Sequence, residues 1–127
     1  MTTLTFERLS KTLPIFAQLA VSKAKSDKTL KQPLIAQTRG VVASRNAVRA
    51  YVGVCGGKDG LGLPILFPQV LGQPLGMKLL AHPDFPLAAL GLVHLENDVR
   101  QTRAPQVGEK LDFKVSIPAI ERTPRGY

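Results

Sequence analysis

A single cysteine, Cys55, excludes an internal disulfide and any cluster of thiolate metal ligands. No apolar run approaches the roughly 18 residues that a membrane-spanning helix needs, and the opening MTTLTFERLSKTL lacks the apolar core of a signal peptide. A soluble, cytoplasmic protein without membrane or metal partners is the expectation. Histidine is scarce as well: His82 and His94 sit in different elements and form neither an HxH nor an HExxH pair. The chain has no GxSxG, which removes the usual exposed serine nucleophile. Its glycine-rich stretch GVCGGKDGLG lacks the GxxxxGK[ST] spacing of a phosphate loop, and Asp59 alone is too few carboxylates for a calcium loop.

Acidic residues are few, nine against 17 Lys and Arg, for a net charge of +8. The excess is uneven. Residues 1–50 carry nine basic side chains against Glu7 and Asp27, whereas residues 51–127 carry eight against seven acids. Such a half could face nucleic acid, an anionic membrane or the phosphates of a nucleotide-tailed substrate. Its densest stretch, KAKSDKTLK, has no interleaved aromatics, so nucleic-acid readout ranks last and a solvated basic surface first.

What is present is an ordinary globular composition, 44% hydrophobic and 20% charged, in 127 residues, enough for one domain. Pro14 suits the first turn of a helix that carries Ile15, Phe16, Leu19 and Ala20 at helical spacing. PLIAQTRGVVAS reads as a strand with a bend at Gly40. Ser44 caps the clearest helix, whose buried face is expected to hold Val48, Tyr51, Val52 and Cys55, and which Gly56 and Gly57 close. Pro74 and the pair His82, Pro83 bracket a short, wholly buried helix at about 74–81. His82 is expected to cap carbonyls at its end.

From Gly91 the period becomes two, Val93, Leu95, Asn97 and Val99 alternating with polar residues. A strand is therefore expected there, with a second, antiparallel one built on Leu111, Phe113, Val115 and Ile117 after the turn APQVGEK. His94, Glu96 and Asp98 would share a face that could offer three ligands in a row; a solvated strand face is the better reading. The last strand would leave an apolar sheet edge uncovered, which implies that the chain continues or dimerises there.

The order of these parts, and the stretches AYVGVCG, LPILFPQVLGQPLGMKLLAHPDFP, LGLVHLENDVRQTR and GEKLDFKVSIP, resemble the first half of MaoC-like dehydratases, double-hotdog relatives of (R)-specific enoyl-CoA hydratases. The likeness covers about residues 48–118, is most specific over 63–97, and is loose over 1–33. It implies an α+β hotdog fold, an antiparallel sheet wrapped around a buried central helix, here lacking its last strands. Residues 1–33 would then be a basic helical extension and 34–127 a partial hotdog domain.

The resemblance also implies reversible hydration of a 2-enoyl-CoA or carrier-protein thioester, without a cofactor. In the family an aspartate and a histidine of a GDxNPxH-type loop activate the water, and a helix N-terminus polarises the thioester carbonyl. Here the matching stretch is CGGKDGLGLP: Gly57 stands at the aspartate position, Asp59 is displaced by two, and no histidine follows. The chain thus resembles the non-catalytic repeat, with no catalytic residue of its own and a second hotdog and a homodimer as expected partners. It implies an acyl pocket lined by Phe67, Val70, Leu71, Leu75 and Met77, for each of which plain core packing is the rival role. Arg100 and Arg103 are the candidates to meet the CoA phosphates. The alternative is a non-enzymatic hotdog that binds thioesters or pairs with a catalytic subunit.

Overall fold

The computed structural model describes residues 2–6, 12–58 and 60–127; Asp59 lies outside them. Among the described residues three strands and three helices follow the order β1 (Thr2–Phe6), α1 (Thr12–Ala20), β2 (Leu34–Val42), α2 (Arg45–Cys55), α3 (Phe67–Leu80) and β3 (Lys110–Ile117). The result is an α+β molecule with one sheet in the order β1-β2-β3. β2 and β3 are antiparallel, with Leu34 opposite Ile117 and Ala36 opposite Val115, whereas β1 runs parallel to β2. The sheet is therefore mixed, where an all-antiparallel one was expected.

Local chemistry explains the first elements. Ile15 and Leu19, four apart, form the buried stripe of α1, and Phe16 remains half exposed. In β2 the register shifts between Thr38 and Val41, and Gly40 within the shift has φ 69°, a left-handed conformation that favours glycine. The Gly40 amide donates to Asp112 Oδ1 on β3 at 3.0 Å, so the bulge is held from across the sheet. Ser44 Oγ accepts from the Ala47 amide at 3.2 Å at the start of α2, and Gly56 ends that helix with φ 81°.

Two expectations about helices change. Cys55 was placed on the buried face of α2, but it is exposed, because the burial ends a turn earlier: Val48 is buried, and Tyr51 and Val52 are half-buried. The central helix begins at Phe67 rather than Pro74, with a proline in its first turn and Pro74 inside it. An interior proline lacks the amide for one helical hydrogen bond and crowds the preceding turn, at about 3 kcal/mol. Burial of Phe67, Leu75 and Leu79 on the same helix offsets that cost. The helix is not buried all round either; one face lies on the sheet and the other is open.

The core falls into two clusters that α3 joins. Leu75 and Leu79 pack with Leu34, Ala36 and Phe85, flanked by Phe113, Val115 and Ile117 of β3. Phe67 packs with Ala43, Val48 and Leu63, flanked by Tyr51, Leu71 and Leu111. Gly72 permits the close approach of α3 to the sheet, since a Cβ there would lie 3.1 Å from Phe113 Cδ1.

The expected strand from Gly91 is absent: residues 92–100 have no helix or strand and are exposed throughout. Val93 and Leu95 are 76% and 90% exposed. Alternation specifies a strand only where a neighbour supplies ladder hydrogen bonds, and among the described residues this stretch has none. β3 keeps its alternation, Leu111, Phe113, Val115 and Ile117 half-buried between exposed residues, but its antiparallel partner is β2.

Candidate functional site

Leu66, Val70, Gln73 and Met77 recur at intervals of four, three and four residues along α3, one stripe on a helix with 3.6 residues per turn. This stripe floors a groove of about 540 Å³. Phe16 of α1 and Tyr51 of α2 form its sides, and Asn97 of the exposed segment borders it near Gln69. Asn97 Nδ2 donates to Gln69 Oε1 at 3.0 Å, which fixes that border. The Tyr51 ring meets Phe67 edge-on, with centroids 5.3 Å apart and planes at 81°. Lining side chains are thus chiefly apolar, with amides from Gln69, Gln73 and Asn97 among them.

The five candidate pocket residues divide between the two faces of α3. Val70 and Met77 line the groove, and Val70 is 51% exposed. Phe67 and Leu75 are buried in the two core clusters, and Leu71 packs against the first-turn cluster around Phe67. Phe16, Tyr51 and Leu66 also line the groove but escaped the sequence analysis. Leu66 had a usable signal, since it continues the 66, 70, 73, 77 stripe; Phe16 and Tyr51 come from other helices, whose packing α3 alone does not reveal.

The candidate cations lie beyond this groove and carry carboxylates. Arg100 pairs with Asp98 at 3.1 Å, both largely exposed. Arg103 makes a two-pronged pair with Glu109, whose carboxylate also accepts the Gln106 amide at 2.9 Å. The Arg103 hydrogen bonds, followed by the Gln106 amide, lower the Glu109 pKa from 4.5 to about 2. Burial lowers the ammonium pKa of Lys78, next to Met77 in the last turn of α3.

Neither histidine addresses the groove. His82 was expected to cap carbonyls, but its Nδ1 accepts the Asp84 amide at 3.1 Å, because the chain turns back immediately after α3. His94 Nε2 lies 2.6 Å from the Glu96 carbonyl. Among the described residues no group of three His, Cys, Asp or Glu side chains is arranged to hold a metal ion. Among the described residues no helix is long and apolar enough to cross a membrane.

No family model matches the chain. It is 34% identical over 79 residues to a Mycobacterium tuberculosis protein named 3-hydroxyacyl-thioester dehydratase X, a match covering 62% of this chain and 28% of that protein. The chain thus spans little more than a quarter of that relative's length. No solved structure matches.

Proposed function

We propose that this chain is the acyl-binding, non-catalytic part of an acyl-thioester hydratase or dehydratase, an enzyme that interconverts 2-enoyl and 3-hydroxyacyl thioesters. The observation that carries the proposal is the apolar groove along α3, in a chain similar to a protein named as a 3-hydroxyacyl-thioester dehydratase. A volume of about 540 Å³ falls within the usual range for small-molecule sites. Val70 and Met77 would touch the acyl chain, with the thioether of Met77 adapting to its shape. Phe67, Leu71 and Leu75 would support them from beneath. Residues 34–127 would form the partial hotdog, with 1–33 as its extension and β1 contributing an edge strand.

Water addition needs one group to take a proton and another to give one. His82 and His94 are engaged with their own backbone, and Gly57 stands where the resemblance puts the catalytic aspartate. Catalysis is therefore assigned to a second hotdog, in a homodimer of the complete enzyme in the cytoplasm, and this part supplies scaffold and binding energy. Arg100 and Arg103 would trade part of their carboxylate pairing for the phosphates of CoA.

The test is calorimetric titration of a medium-chain 2-enoyl-CoA into the chain and its variants. Val70→Glu and Met77→Glu are expected to weaken binding at least about tenfold, because each sets a carboxylate against the acyl chain. Arg100→Ala and Arg103→Ala should each weaken it by roughly threefold, as exposed ion pairs do, and less at high salt. Equal affinity in all four variants would place the ligand elsewhere. The same groove also fits a non-enzymatic thioester-binding protein, which would bind equally well yet never pair with a catalytic half.

A further inference from the structure

Gln69 and Gln73 stand one turn apart on α3, about 6 Å along its axis, and both line two apolar spaces at once. One is the groove. The other, of about 370 Å³, is bounded by Gly72 and Gly76 of α3 and by Phe113 and Val115 of β3. The two amides therefore form a polar ridge between apolar walls. Among the described residues Gln73 makes no side-chain hydrogen bond, whereas Gln69 Oε1 accepts from Asn97 Nδ2 at 3.0 Å.

That bond does more than fix the border of the groove. It uses the oxygen of one amide and the nitrogen of the other, so Gln69 Nε2 keeps its donors and Asn97 Oδ1 its acceptor sites, on two amides held in contact. Neither group has another partner among the described residues. Both side chains are exposed while the groove is empty, and water can serve them there. An occupant that covers them must replace that water. A methylene replaces neither bond and leaves a donor and an acceptor dry. A carbonyl oxygen accepts from Gln69 but offers Asn97 no donor. A hydroxyl donates and accepts through one oxygen, so it is the smallest group that answers both amides.

We infer that the Gln69–Asn97 pair is a hydroxyl clamp, and that the acyl chains this groove selects carry a hydroxyl remote from the thioester. The inference rests on the acyl-groove reading above and narrows its substrate class. The hydroxyl is remote because the reacting carbons belong with the catalytic half, whereas the clamp sits beside Val70 in the groove that holds the chain. Preference then runs from hydroxyl through oxo to unsubstituted chain, since each step leaves one more amide group unanswered.

Calorimetry on the full chain tests this with free CoA, octanoyl-CoA, and octanoyl-CoA carrying a hydroxyl or an oxo group at each carbon beyond the third in turn. The best-placed hydroxy isomer is expected to bind roughly fivefold tighter than octanoyl-CoA, the scale of net hydrogen bonds at an exposed pair, with its oxo counterpart between them. Gln69→Leu and Asn97→Leu should each abolish that preference and tighten octanoyl-CoA by about twofold, because leucine adds apolar surface. Such a crossing of affinities is one that an unfolded variant cannot give. If octanoyl-CoA binds more tightly than free CoA but no hydroxy isomer is preferred to it, the clamp is overturned and the acyl groove stands. If no thioester binds more tightly than free CoA, both fall. Equal weakening of free CoA and of the hydroxy isomer in the two variants would mean that the pair holds a hydroxyl of the carrier, which also overturns the inference.

Discussion

Glu109 closes the turn after the exposed segment, and its charge state is the most strongly shifted among the described residues. Its carboxyl is depressed from 4.5 to about 2 by the Arg103 guanidinium first and the Gln106 amide second. A group whose folded pKa is lowered stabilises the fold above its unfolded pKa, and that contribution disappears as pH falls through the folded value. The turn should therefore hold above pH 4.5 and loosen between 4.5 and about 2. An NMR titration of the Glu109 carboxyl is expected to show a midpoint near the lower figure, and Arg103→Ala to move it back toward the upper one. A midpoint near 4.5 in the unsubstituted chain would contradict the pairing. Cys55 teaches a complementary lesson: its helical spacing from Val48 was legible, but exposure is decided by what packs opposite, and at the end of α2 Val52 is half-buried against the Phe67 cluster while Val54 and Cys55 are exposed.

At the scale of elements, the legible parts were those whose chemistry is local. The Ser44 cap, the glycine end of α2 and the bulge at Gly40 follow from side-chain hydrogen bonding and positive φ within a few residues. The start of α3 was missed because Pro74 looked like a first-turn proline, while Pro68 occupied that position in fact. β1 was missed because a five-residue strand pairing in parallel with a distant one leaves little trace in its own sequence. The alternation at 93–99 was legible and its expected ladder is absent, since pairing depends on a neighbour that the pattern alone cannot supply.

The approach of α3 to the sheet yields a direct check on packing. Gly72→Leu would drive a side chain into the Phe113 ring and is expected to destabilise the fold by about 1–3 kcal/mol in urea unfolding. Gly53→Ala, at a helical glycine of α2 with nothing within 4 Å of its added Cβ, is the control and should be neutral or stabilising by up to about 1 kcal/mol. Equal effects at the two positions would contradict the close contact between α3 and β3.

The whole molecule sets a chiefly apolar groove on a scaffold whose net positive charge is concentrated in its first 50 residues. Lys23, Lys25, Lys28 and Lys31 all lie exposed between α1 and β2, so the charge asymmetry read from the sequence persists as a surface property. The candidate site was half legible: Val70 and Met77 came from the apolar run itself, whereas Phe16 and Tyr51 required the three-helix arrangement. The central claim is that this groove holds an acyl chain. Calorimetry with free CoA and a series of saturated acyl-CoA thioesters of increasing length measures it most directly. Affinity is expected to rise by roughly fourfold per added methylene, the transfer of about 0.8 kcal/mol each, until the groove is full. An affinity that stays flat with chain length, equal to that of CoA alone, would contradict the claim.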